Sequence, residues 1–151
     1  MVLIVVGILA ATVAPKMFGP STFDEFGYQA ELRSAIAFAQ KRAIAARRFV
    51  CVSIGGSEAT FSLLTTEPES VGATITCDQD LALPKGRSSC SGNPSHKICP
   101  PAGVTAGTAS WVFDPLGRPL NSSKAVLTSN LSIAVTNQPA ITVEAETGYV
   151  R

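Results

Sequence analysis

Read for the alternation of apolar and polar positions, the chain divides into three stretches. Residues 1–14, MVLIVVGILAATVA, contain no charged side chain, and the first charge is Lys16, just after Pro15. From Thr22 onward the apolar positions recur every three or four residues. Tyr28, Leu32, Ala35, Ile36, Ala39, Ala43 and Ala46 fall on one stripe, with Ser34, Lys41 and Arg48 pointing away from it. That period predicts an amphipathic helix over 22–48, with Thr22 and Glu25 at capping-box spacing at its start. The small side chains of the stripe let a second layer come close, so the helix is expected to lie on a sheet. Ahead of it, Pro15 and Gly19-Pro20 remove amide donors and disfavour helical geometry at the preceding residue, which predicts kinks there.

After Arg48 the period changes to two. The alternation predicts strands at 49–54 and 59–64 joined by the turn Gly55-Gly56-Ser57, a third at 73–77, and further strands at 110–113, 131–135, 141–145 and 149–150. Asp114-Pro115-Leu116-Gly117, Asn137-Gln138-Pro139 and Glu146-Thr147-Gly148 read as tight reversals. Residues 84–107 are rich in Gly, Pro and Ser and read as a loop that stays ordered only if something fastens it. One long N-terminal helix followed by hairpins is an α+β arrangement, the helix packed on antiparallel sheet. Two units are expected: an apolar helix over 1–20, and a globular domain over 21–151 made of the helix 22–48 and a β-rich part 49–151.

Composition narrows the chemistry. Among 151 residues, twelve Lys plus Arg face eleven Asp plus Glu, for a formal charge of +1. No global field exists to gather nucleic acid or an anionic membrane. A single His leaves little material for histidine-based metal sites or acid–base schemes. Nucleophile elbows, phosphate-binding glycine loops and H-E-x-x-H helices are missing from the sequence, so no catalytic residue, metal ligand or cofactor site is assigned. Lys41, Arg42, Arg47 and Arg48 gather at the helix's C-terminal end, where the backbone dipole favours cations. Without aromatic residues between them they make a poor platform for single strands. Asp78 and Asp80 supply too few oxygens for calcium and read as a turn. Asn121-Ser122-Ser123 and Asn130-Leu131-Ser132 have the glycosylation acceptor pattern and are read as ordinary polar loop chemistry.

The mean hydropathy of +0.27 is high for a chain with 12 Gly and 10 Pro, and the excess sits in the first fourteen residues. A bilayer crossing needs roughly 20 apolar residues, more than this run provides. A secretory signal would need a basic region before it and a cleavable site after it, and Ala14-Pro15 is a poor one. The order of residues is more specific than the hydropathy. MVLIVVGILAATVAPKMF, with Gly7, Pro15 and the Gly7-Ile8-Leu9-Ala10-Ala11 run between them, resembles the N-terminal helix of type IV pilins and pseudopilins. The strand after a basic helix end, the turn Phe113-Asp114-Pro115-Leu116-Gly117-Arg118-Pro119 and the ending Glu146-Thr147-Gly148-Tyr149-Val150-Arg151 resemble minor pilins of the mannose-sensitive haemagglutinin type, within the wider group of H-type minor pseudopilins. The stretch from about 67 to 108 resembles nothing in that family.

The resemblance implies a structural subunit and no enzyme. Its helix would hold the chain in the bacterial inner membrane with a periplasmic domain, and would then pack among other pilin or pseudopilin subunits in a filament. Gly7, Ala10, Ala11 and Ala14 would permit close helix–helix approach, and Pro15 would let the helix bend. The family's basic leader, prepilin-peptidase site and N-terminal glutamate match nothing in this sequence, and by the resemblance the helix continues about seven residues ahead of Met1 to reach the roughly 20 a crossing requires. Export across the inner membrane makes the four cysteines readable as two disulfides. Three pairings are possible; we favour Cys51 with Cys77, on strands of one sheet, and Cys90 with Cys99, closing the loop around Pro94. His96 beside the last pair could otherwise complete a cysteine-rich metal site. Two other roles stay open: a pseudopilin of a type II secretion system, or a tip subunit binding a ligand or DNA through the 90–99 loop or through Arg118 and Arg151.

Overall fold

The computed structural model of the chain describes residues 22–84 and 90–151. Helix α1, Thr22–Ala46, is followed by β1 (Val50–Ile54), β2 (Ala59–Leu63), a 3-10 turn at Pro68–Ser70, β3 (Gln79–Asp80), β4 (Lys97–Ile98), β5 (Ala109–Phe113), β6 (Pro119–Leu120), β7 (Leu131–Val135) and β8 (Gln138–Val143). The first six strands form one sheet with β1 at its centre, and β7 and β8 form a separate hairpin; every pairing is antiparallel. The α+β fold expected from the sequence, a helix laid on antiparallel sheet, is therefore the fold of the described chain.

Pleating divides the sheet's residues between two cores. On the helix side, Val50, Val52 and Ile54 of β1 stand beside Ala59 and Phe61 of β2 and Trp111 and Phe113 of β5. Onto them α1 presses Tyr28, Leu32, Ala35, Ile36, Ala39 and Ala43, with Ile133, Ile141 and Val143 of the hairpin closing the end. Alanines at 35, 39 and 43 leave room for Trp111, Phe61 and Phe113, which are fully buried, and the Trp111 and Phe113 rings meet edge to face at 5.9 Å. On the other side of the sheet Phe49, Leu64, Ile75, Val112 and Leu120 make a smaller core, with Cys51 and Cys77 packed against it.

The helix ends in a Schellman turn. Arg47 adopts φ 52°, the Arg47 amide donates to the Ile44 carbonyl at 3.3 Å and the Arg48 amide to the Ala43 carbonyl at 3.2 Å. Arg48 does not point into solvent as the stripe suggested. Its side chain is half-buried, and Nη2 lies 2.5 Å from Glu67 Oε1. That bond holds the Glu67 carboxyl below the usual carboxylate range and pushes the guanidinium up. Glu25, in the first turn of α1, turns inward. Its side chain is buried, and Asn137 Nδ2 donates to its Oε1 at 2.8 Å.

Several β boundaries differ from the expectation. Residues 73–77 are not a strand, because their alternation supplies one buried anchor, Ile75, which belongs to the small core and donates its amide to the Ser122 carbonyl at 2.9 Å. The strand lies just beyond, at Gln79–Asp80, and Cys77 therefore precedes it. The segment read as loop contains β4, whose Lys97 and Ile98 pair with Thr60 and Ala59. Gln138 and Pro139 open β8 instead of belonging to the turn before it; Asn137, at φ 53°, makes the reversal. At the chain's end only a single bridge, Val143 to Val150, stands where a short strand was expected.

Candidate functional site

The residues assigned to the assembly helix, Gly7, Ala10, Ala11, Ala14 and Pro15, lie outside the described residues, as does the Gly19-Pro20 break. Among the described residues no helix is long and apolar enough to cross a membrane. The features available for function are the disulfide loop, the arginine pair and the surface of α1.

Cys51 is joined to Cys77 and Cys90 to Cys99, and no cysteine is free. The first bridge ties the central strand to the segment crossing the small core, over a separation of 26 residues. The second closes 9 residues, fastening the Gly/Pro/Ser stretch whose Asn93 and Gly92 both take positive φ. Between this loop and α1 lies a groove of ≈ 570 Å³ bordered by Glu31, Ser34, Leu83, Pro94, Lys97 and Ile98. Its cation is engaged: Lys97 Nζ donates to both Glu58 carboxylate oxygens, at 3.2 and 3.1 Å. His96 Nδ1 stands 3.2 Å from Asp80 Oδ2, and with both cysteines beside it in a disulfide the cysteine-rich metal site has lost its thiolates. Asp78 accepts from the Thr65 hydroxyl and amide, which hold its carboxyl below the ordinary range. No group of three or more His, Cys, Asp or Glu among the described residues could hold a metal ion.

The two arginines proposed for ligand binding both face carboxylates. Arg118 Nη2 and Nε reach Asp114 Oδ2 at 2.8 and 2.9 Å. Asp114 is itself buried and accepts the amides of Leu116 and Arg118 at 2.9 and 2.8 Å, which fixes the turn. Arg151 Nε lies 3.8 Å from Glu144 Oε1. The two glycosylation-type asparagines serve the backbone: Asn121 Oδ1 accepts the amides of Ser123 and Ala125, and Asn130 Oδ1 that of Ala145.

Helix α1 carries a second apolar side, away from the inward stripe. Its outer side carries Phe23, Phe26 and Ile44, all exposed, alongside Ala30, while Ala37, half-buried, packs against the core. Phe26 and Ile44 are eighteen residues apart, five whole turns, and so share one side of the helix. A signal for this was present in the sequence: the apolar residues 23, 26, 30, 37 and 44 form a second ladder at steps of three, four and seven, opposite the first. A helix apolar on two sides is one built to be covered twice.

This geometry meets that of known proteins at the level of architecture. No family model matches the chain, and none of the curated proteins does. Two solved structures do, both of the minor pseudopilin EpsH from the type 2 secretion system of Vibrio cholerae. One aligns at TM-score 0.52 and 12% identity over 85% of this chain and 93% of EpsH. The other aligns at TM-score 0.54 and 14% identity over 87% and 94%. The chain has the pseudopilin fold. At such identity the likeness concerns the path of the backbone, in which the pseudopilin-fold helix buries one side on its sheet and leaves Phe23 and Phe26 outward.

Proposed function

We propose that the chain is a structural subunit of a pilin-like filament and performs no catalysis. The observation that carries the reading is the outer side of α1. Phe23 and Phe26 are among the most exposed large apolar residues described, and they follow the apolar run 1–14 along the sequence. Burying them against neighbouring subunits removes the cost of that exposure, at about 25 cal/mol per Å² of apolar surface. In this reading the N-terminal helix anchors the subunit in the inner membrane until assembly. Gly7, Ala10, Ala11 and Ala14 then exchange lipid for helix contacts, Pro15 lets the helix bend, and a prepilin peptidase processes the chain upstream.

Of the filaments such a subunit could serve, the 113–119 turn and the 146–151 ending favour a minor pilin of the mannose-sensitive haemagglutinin type, with roles in assembly, adhesion or motility. A minor pseudopilin of type II secretion is the second reading, favoured by the two EpsH structures. Deleting the chromosomal copy and scoring both surface pili and secreted protein separates them: loss of pili with secretion intact supports the first, and the reverse supports the second. The shared reading is tested by incorporation. Gly7→Leu and Phe26→Asp are each expected to lower the amount of subunit in sheared filaments severalfold while the domain stays folded. Undiminished incorporation of both variants refutes the role given to this helix.

A further inference from the structure

The two ends of α1 differ in the charge around them. From residue 98 to 113 and from 125 to 143 the sequence contains no Lys, Arg, Asp or Glu, and the fold gathers parts of both stretches at the N-terminal end of the helix. The β7–β8 hairpin turns there: Asn137 Nδ2 donates to Glu25 Oε1 at 2.8 Å, and Gln29 Nε2 to the Pro139 carbonyl at 2.7 Å. Residues 105–107 lie alongside, with Ala106 bridged to Val135 and the Thr136 amide donating to the Thr105 carbonyl at 3.1 Å. This end therefore presents Thr22, Thr105, Asn137 and Pro139, all exposed and none charged, together with Phe23 and Phe26, which are 75% and 61% exposed. The first two turns of α1 add two acids. Glu25 is buried and takes the Asn137 bond, and Asp24 is half-buried. The exposed cations of the helix, Arg33, Lys41, Arg42 and Arg47, all stand further along it.

An uncharged end with exposed aromatic rings marks a contact surface, and the sequence shows what stands nearest to it. Residues 1–14 are without charge, Lys16 is the only charged side chain before Asp24, and Phe23 follows Ala14 by nine positions. Nine residues span about 14 Å in helical form and at most about 30 Å when fully extended. Whatever takes up the apolar run lies within that distance of Phe23 and Phe26. The polar groups of this end are also engaged within the domain: the Thr105 and Thr136 hydroxyls meet at 3.0 Å, and the Asn137 amide is bonded to Glu25. A protein partner is fixed in register by directional polar and charged contacts, and this end offers few. A bilayer surface asks for none. Aromatic rings settle where acyl chains meet headgroups, and ionised groups are costly at that depth.

We propose that, before the subunit enters a filament, this end of the domain rests on a lipid bilayer, with Phe23 and Phe26 seated where headgroups meet acyl chains and the Asn137 turn at headgroup level. The inference rests on the anchoring role given to residues 1–14. It adds a second contact, made by the folded domain, which limits how α1 can tilt against the membrane. On assembly the same two rings pass from lipid to a neighbouring subunit.

Fluorescence of the full chain in vesicles of phosphatidylethanolamine and phosphatidylglycerol tests this contact. Trp111 is fully buried and supplies a constant background. Phe23→Trp and Phe26→Trp each place an indole at the proposed contact, and Ile44→Trp places one at an exposed position about 27 Å along α1 from residue 26. With lipids brominated near the top of the acyl chain, emission from positions 23 and 26 should be quenched at least twice as strongly as that from 44. Adding vesicles should also cut acrylamide quenching at 23 and 26 by at least half. Bromine quenching no stronger at 23 and 26 than at 44 would overturn the proposal. So would shielding from acrylamide that grows with protein concentration and not with lipid, which gives this end to another protein. Flotation of the same samples keeps the two readings apart. Chains that float with the vesicles but show no bromine quenching at 23 and 26 leave the anchor standing and remove this contact, whereas chains that do not float remove the anchor and the contact with it.

Discussion

On helix α1 the inward and outward sides are both apolar, yet they are made from different side chains. The inward side is mixed in size: Tyr28, Leu32 and Ile36 share one core with Trp111 and Phe113, and alanines at 35, 39 and 43 let the helix settle on the sheet. The outward side sets Phe23, Phe26 and Ile44, all exposed, among Ala30, Arg33 and Lys41. Burial inside the domain selects for complementary volume, because interiors are packed as densely as crystals. A side that waits for a neighbour has to tolerate water first, and the charges spaced between its apolar residues serve that need. Under the filament reading proposed above, the contrast assigns folding to one side and assembly to the other.

The contrast breaks if the two sides respond alike to truncation. Leu32 is fully buried, and Leu32→Ala is expected to cost about 2–5 kcal/mol, the transfer and cavity terms together. Phe26→Ala, larger in atoms removed, is expected to stay within about 0.5 kcal/mol because its ring is exposed in the monomer. Urea unfolding of the two variants at equal protein concentration measures both. A destabilisation by Phe26→Ala comparable to that of Leu32→Ala would mean that the ring packs inside the domain.

Enlargement sharpens the same contrast at smaller scale. Ala39 is fully buried where α1 rests on the sheet, so Ala39→Leu should overpack the interface and cost about 1–3 kcal/mol. Ala30 is exposed on the outward side, and Ala30→Leu should fall within about 0.5 kcal/mol in either direction. Thermal melts of the disulfide-intact protein read the difference. Equal shifts in the two variants would remove the argument that small residues at 35, 39 and 43 are there for close approach.

How far this organisation could be read from the sequence depends on the length of the signal. The inward stripe of α1 extends over many turns and names its buried residues directly; only Ala46, half-buried at the Schellman turn, and the inward-turned Glu25 depart from it. β1, β2, β5 and β7 are legible because each holds two or more inward apolar residues at period two. β4 was not, since a strand of two residues has no period, and Lys97 and Ile98 enter the sheet because the Cys90–Cys99 bridge shapes the loop before them. The 73–77 stretch alternates but buries one residue, too few to decide between a strand and a crossing segment. The seating of the 114–118 and 144–149 turns on the end of α1 lies beyond any local pattern: the segments are far apart along the chain, and Gly117 and Gly148 allow the turns to touch Ile44 and Gln40 of the helix. The outward ladder was present in the spacing, hidden because a second apolar face weakens the asymmetry by which helices are recognised.

Tyr28 provides the finest test of the inward side. It is buried, and its hydroxyl has no hydrogen-bond partner. Burial, and secondarily the negative charge of Glu31, push the phenol up to about 12. The unfolded chain releases this proton near pH 10 and the folded one near 12, so its contribution to stability is complete below pH 10 and is lost as pH rises towards and past 12. By linkage the loss reaches roughly 2 kcal/mol at pH 12. Tyr28→Phe removes a buried polar group that bonds to nothing, so at pH 7 the variant should match or slightly exceed the parent. Between pH 10 and 12 the parent's stability should fall relative to the variant's, measured by urea unfolding at each pH. Parallel curves for the two proteins would mean that the hydroxyl reaches water, and that the inward side of α1 is open at Tyr28.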